Sequence, residues 1–126
     1  MNAIVHQLLV TADRLLTDAP AAMTAGRYRG AAFALRTALE ATVSDALLNA
    51  PTGIRHGSTR AKFLCLRSCT EAQTARRAKA VWGLLCLGCH YHQYEIGPTE
   101  DQLRLWRSEV GLVIGLLNDS GRAAVC

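Results

Sequence analysis

Cys86-Leu87-Gly88-Cys89-His90-Tyr91-His92-Gln93-Tyr94-Glu95-Ile96-Gly97-Pro98 stands where a long apolar helical pattern must stop, just before a Gly-Pro pair. The stretch holds two of the chain's 5 cysteines, two of its 4 histidines and two of its 3 tyrosines. Upstream, Ala78, Val81, Trp82, Leu85, Cys89 and His92 recur at helical spacing, while Leu84 and Leu87 add apolar surface on other sides. The pattern predicts a well-buried helix ending near Glu95, with a fresh start at the capping box Thr70-Glu71-Ala72-Gln73. Titratable and metal-capable side chains gathered at the end of that helix are the functional lead, and the rest of the chain reads as scaffold.

Working outward, the same periodicity recurs on both sides. Residues 3–17 set Ile4, Val5, Leu8, Leu9, Ala12, Leu15 and Leu16 on one face, and Asp18-Ala19-Pro20 ends that helix. A second helix runs from about Arg27 to Asn49 on a stripe of Tyr28, Ala32, Leu35, Leu39, Val43 (or Thr42) and Ala46. Residues 50–57 read as a loop from their Pro and Gly content. Ser58 or Thr59 then caps a helical stretch over 59–69 that carries Phe63, Leu64 and Leu66. The capping box Thr99-Glu100-Asp101-Gln102 opens the last helix, striped by Leu103, Trp106, Val110, Val113, Ile114 and Leu117. Asn118-Asp119-Ser120-Gly121 reads as its stop, and Gly111 and Gly115 read as points of close helix packing.

Four such stripes with short connectors predict an all-α fold, a compact up-down four-helix bundle with room for one extra short helix. Residues 1–126 are expected to form a single domain, with a core over about 3–118 and a tail over 119–126. Half the residues are hydrophobic, yet no apolar run approaches the ~20 residues that span a bilayer, so no membrane partner is expected. The opening Met1-Asn2-Ala3-Ile4-Val5-His6 lacks a basic region ahead of an apolar block, which makes the cytoplasm the expected address. The odd cysteine count argues against a disulfide framework. A net charge of +4 and a pI near 9.0 permit an acidic partner such as RNA. Arg76, Arg77 and Lys79 form a basic patch whose plain reading is a solvated face. Arg36 and Glu40, four apart, read most simply as a partly solvated ion pair.

Three chemistries compete for residues 86–95. Cys86-Leu87-Gly88-Cys89-His90 fits the C-x-x-C-H pattern of covalent haem attachment, with His90 as axial ligand. That attachment normally takes place outside the cytoplasm, so haem is the lesser reading. Cys86, Cys89 and His90 also share a helical flank that zinc could use, but one helix does not wrap four ligands around an ion. No cofactor is therefore expected. In the third reading His90, His92 and Tyr94 move protons or hold a phosphate, with Arg36, Glu40 and Glu95 as binding partners. His92 and Tyr94 are two apart and diverge on a continuous helix, so they meet only if the helix frays or a second chain completes the site. The plain alternative makes His92 a satisfied residue at the end of the core stripe.

The His92-Gln93-Tyr94 triplet, the order of the helices and the small-residue helix Ala34-Leu35-Arg36-Thr37-Ala38-Leu39-Glu40-Ala41 together resemble the HEPN superfamily. The resemblance implies a homodimer with motif residues meeting in a cleft. It also implies either a metal-independent ribonuclease of a toxin–antitoxin or defence system, or a nucleotide-binding or partner subunit. The sequence departs from the family in one respect: no arginine precedes the histidine at motif spacing, and no Arg or Lys occurs between Lys79 and Arg104. The phosphate-holding cation must then be Arg36, come from a partner chain, or be absent. Binding of RNA or a nucleotide is the primary expectation, with cleavage left open. A non-enzymatic interaction module with a cognate protein partner is the alternative.

Overall fold

The computed structural model describes residues 2–17, 24–90 and 97–123. They are helical throughout, with no strand among them: α1 (Ala3–Thr17), α2 (Thr24–Ala46), α3 (Thr52–Arg55), α4 (Thr59–Cys65), a 3-10 turn (Leu66–Ser68), α5 (Ala72–His90) and α6 (Glu100–Ala123).

The caps explain where several of these begin. Asn2 Oδ1 accepts from Val5 N at 3.0 Å and opens α1. Ser58 Oγ accepts from Ala61 N at 3.2 Å and opens α4. At α6 the capping box is reciprocal: Gln102 N donates to Thr99 Oγ1 at 3.1 Å and Thr99 N donates to Gln102 Oε1 at 3.0 Å.

Several boundaries differ from the sequence reading, among them the end of α2, which comes at Ala46 and not near Asn49. α2 starts at Thr24 and absorbs Gly26 and Gly30, because Gly30 lets Leu15 of α1 approach: a Cβ there would lie 3.2 Å from Leu15 Cδ1. The expected loop over 50–57 contains the turn α3. The stretch over 59–69 tightens into a 3-10 turn after Cys65, where Ser68 Oγ donates back to Cys65 O at 2.8 Å. Asn118-Asp119-Ser120-Gly121 does not stop α6, which continues to Ala123. No described glycine takes a positive φ, so Gly121 supplies no left-handed cap.

The buried residues form one cluster, and α2 is at its centre. It packs on α1, α5 and α6, and more lightly on α4. Ala31, Ala32, Ala34, Leu35, Ala38, Leu39, Thr42 and Val43 are all buried, which is far more of the circumference than one stripe. Four alanines on this helix keep its neighbours close without voids. The α6 stripe is buried as read, with Trp106 half-buried. On α1, Val5, Leu9, Ala12 and Leu16 are buried, whereas Ile4 is exposed. α5 is not covered on most sides: Leu84 is 43% and Leu87 72% exposed.

Polar ties hold the helix ends together. Asn2 Nδ2 donates to Asp45 Oδ2 at 3.2 Å, joining the start of α1 to the end of α2. Arg107 Nε donates to Asp13 Oδ1 at 2.8 Å, and Arg104 Nη2 donates to Leu16 O at 3.2 Å, joining α6 to α1. Arg77 of α5 pairs with Glu109 of α6, and that partner pushes the guanidinium still further above its usual range.

Two glycines separate tight packing from open space. A Cβ at Gly88 would meet Trp106 Cζ3 at 3.1 Å and Ala32 Cβ at 3.3 Å, whereas one at Gly115 meets nothing within 4 Å. Gly88 is thus a contact of α5 with both α2 and α6, whereas the Cβ position of Gly115 faces open space among the described residues. Gly88→Ala is expected to destabilise by about 1–3 kcal/mol through overpacking. Gly115→Ala is expected to be neutral or to stabilise by up to about 1 kcal/mol through helix propensity. Thermal melts of the two variants check both signs.

Candidate functional site

Arg36 is the side chain through which the polar residues of α2 and α5 meet. It leaves α2 on the face turned toward the C-terminal part of α5, and its Nη1 lies 3.2 Å from His90 Nε2. An arginine only donates, so Nε2 is the accepting atom of this contact.

One turn along α2, Glu40 Oε1 lies 3.6 Å from Arg36 Nε. That is close enough for an ion pair and too far for a hydrogen bond, and Arg36 Nε is buried with no hydrogen-bond partner. Glu40 Oε1 also accepts from the indole of Trp82 on α5 at 3.0 Å. Trp82 in turn stacks on Phe63 of α4, ring centroids 4.7 Å apart. The side chains of Arg36 and Glu40 are 18% and 32% exposed, which agrees with the partly solvated pair read from the sequence. The guanidinium also lies over the ring of Phe33, 5.2 Å from its centroid.

Around this group opens a depression of about 390 Å³ between α2 and α5, lined by Arg29, Gly30, Phe33, Arg36, Cys89 and His90 among others. Phe33 is 54% exposed and forms an aromatic wall. Gly26 and Gly30 leave the α2 side without bulk. A second depression, of about 310 Å³, lies between α2 and α4, and Glu40 lines that one together with Lys62, Ser44 and Phe63. Lys62 Nζ donates there to Ser44 Oγ at 3.3 Å.

The two thiols of the motif stand beside Arg36. Burial pushes the Cys86 thiol above its ordinary value; the charge and hydrogen bond of Arg36 pull it down, and Glu40 adds to the rise. Burial likewise raises Cys89, with Arg36 and Arg29 opposing and Cys86 and Glu40 adding to it. The net direction is upward for both, so they stay protonated at neutral pH and are not poised as nucleophiles. Cys65, Cys69, Cys86 and Cys89 are free thiols. Among the described residues no three His, Cys, Asp or Glu side chains are grouped to hold a metal ion, Cys86, Cys89 and His90 included.

Of the residues singled out in the sequence, Arg36, Glu40, His90, Cys86 and Cys89 come together here. His92, Tyr94 and Glu95 lie outside the described residues. Phe33, Arg29 and Trp82 belong to the site and were not singled out for it. A signal for Phe33 was present: at i−3 from Arg36 it is an aromatic on the face of α2 that carries the charge, off the apolar stripe.

No family model matches the chain, and no curated protein or solved structure does. No described helix is long and apolar enough to cross a membrane.

The Trp82–Glu40 contact has a measurable consequence. Glu40→Ala leaves an indole N–H without its acceptor and is expected to cost about 1–3 kcal/mol. Glu40→Gln keeps an oxygen for Trp82 and is expected to stay within about 1 kcal/mol of the parent. Urea unfolding of the two variants checks the difference.

Proposed function

We propose that the chain binds RNA or a nucleotide in the depression between α2 and α5, as an HEPN-like helical dimer. The observation that carries this reading is the contact of Arg36 with His90. The resemblance lacks an arginine at motif spacing before the histidine, and Arg36 reaches the histidine-bearing end of α5 from α2 instead. A guanidinium suits a phosphate in charge and in fork geometry. Beside it, the exposed Phe33 ring offers a base a stacking face, and Arg29 adds positive charge on the same side.

In this reading α1, α2, α5 and α6 are the four helices of an up-down bundle, and residues 1–126 form one cytoplasmic domain of a toxin–antitoxin or defence type system. Binding is its activity. His90, with Nε2 turned to Arg36, is a phosphate neighbour before it is a proton carrier. Cleavage falls to His92 and Tyr94, and the proposal does not depend on it. A metal role for Cys86 and Cys89 draws no support from the described residues, among which no three His, Cys, Asp or Glu side chains gather.

The second copy is proposed to dock on α5 and α6. Leu105, Leu112 and Leu116 are 70%, 59% and 38% exposed at spacings of seven and four on α6, and Leu84 and Leu87 are exposed three apart on α5. A Cβ at Gly115 would meet nothing within 4 Å among the described residues, which leaves room for a neighbour. The same surface supports the alternative, an interaction module whose polar cluster serves only to order a seam.

Two measurements test the proposal. Fluorescence anisotropy with single-stranded RNA should show binding that Arg36→Gln weakens by about tenfold or more while the melting temperature stays close to the parent's. Wild-type protein that ignores RNA and nucleotides at high micromolar concentration removes the reading. Light scattering should give a dimer that Leu112→Asp converts to monomer, and a wild-type monomer removes the dimer.

A further inference from the structure

The basic patch at the start of α5 is divided by the fold. Arg77 turns to α6 and is neutralised by Glu109. Arg76 and Lys79 turn to the other side, where Arg67 of the 3-10 turn joins them around a depression of about 140 Å³ floored by Phe63, Leu64 and Ala75. All three cations are exposed, and none of them pairs with a carboxylate among the described ion pairs. Leu64 beside them is 52% exposed.

The position of this cluster on α5 gives it a direction. Arg76, Lys79, Gly83, Cys86 and His90 recur at spacings of three and four, so they form a single stripe along the helix. Midway along it, Gly83 leaves the surface low: a Cβ there would meet nothing within 4 Å. At ~1.5 Å per residue, Lys79 and His90 are about 16 Å apart along the axis. The stripe thus starts beside three cations that have no acidic partner among the described ion pairs, and ends at Arg36 and His90.

We infer that this stripe is a track for the sugar-phosphate backbone of a single-stranded RNA. Arg67, Arg76 and Lys79 form a second phosphate subsite several nucleotides from the first. The inference rests on the reading of the α2–α5 depression as the first subsite, and it makes the ligand a strand and not a mononucleotide. Charge without base-reading groups at the far end implies affinity without sequence preference there.

The test is a salt series of anisotropy titrations with a labelled single-stranded RNA of about ten nucleotides, and with a dinucleotide that is too short to span the track. The proteins are the wild type, the triple variant Arg67→Gln/Arg76→Gln/Lys79→Gln, and Arg36→Gln. All three altered cations of the triple variant are exposed, and its thermal midpoint confirms the fold. With the long strand the triple variant should lose about tenfold or more in affinity. The slope of log K against log salt should fall in magnitude by about 2, since each lost phosphate contact removes ~0.7. With the dinucleotide it should match the wild type. Unchanged affinity and slope on the long strand overturn the track and leave the α2–α5 site standing if Arg36→Gln still weakens binding. Loss in the triple variant with none in Arg36→Gln overturns that site and the track that ends on it, and leaves only an RNA contact at Arg67, Arg76 and Lys79. A wild type that binds neither RNA overturns both.

Discussion

The close approach of three helices to α2 is the constraint on which the rest depends. Ala31, Ala32, Ala34 and Ala38 hold that approach, because each presents only a methyl group to its neighbour. Gly88 answers from α5 by presenting no side chain at all to Ala32 and Trp106. With α5 so near, Arg36 spans the gap to His90, and Glu40 lies within 3.0 Å of an indole on the facing helix. A larger residue at Ala32 or Gly88 is expected to push α5 outward and break both contacts.

The polar seam built on this packing has an order to it. Phe63 fixes the plane of Trp82 by stacking, Trp82 fixes one oxygen of Glu40, and Glu40 restrains Arg36 from one side while His90 meets it from the other. Each link is a neutral or charge-assisted contact of ordinary strength. Their joint effect is to keep a cation in one place at low conformational cost, which favours recognition by a rigid site. The same seam keeps Cys86 and Cys89 half-covered, and so as neutral thiols.

How much was legible in the sequence follows from how local each signal is. The capping box at Thr99 and the stripe of α6 involve near neighbours, and both were readable in full. The Arg36–Glu40 pair was readable because four residues make one helical turn. The Trp82–Glu40 bond was not, since its partners are 42 residues apart and meet only after α2 and α5 have docked. The centrality of α2 was hidden because alanine is a good helix former on any face and does not mark which face is covered. The same ambiguity misplaced Leu84, Leu87 and Ile4, whose apolar character says nothing about whether a neighbour arrives. His90 was read as part of a motif spaced along the chain, and its meeting with Arg36 depends on the crossing of two helices.

The chain's two tryptophans stand at different places in this arrangement. Trp82 donates to a carboxylate at the rim of the seam, and Trp106 lies against Gly88 in the contact between α5 and α6. One indole therefore senses the electrostatics of the seam, the other the tightness of helix packing. The protein thus carries two intrinsic optical reporters of distinct events. A ligand that disturbs Glu40 shifts the emission of one indole, and a loosening of the helices shifts that of the other, with no label attached.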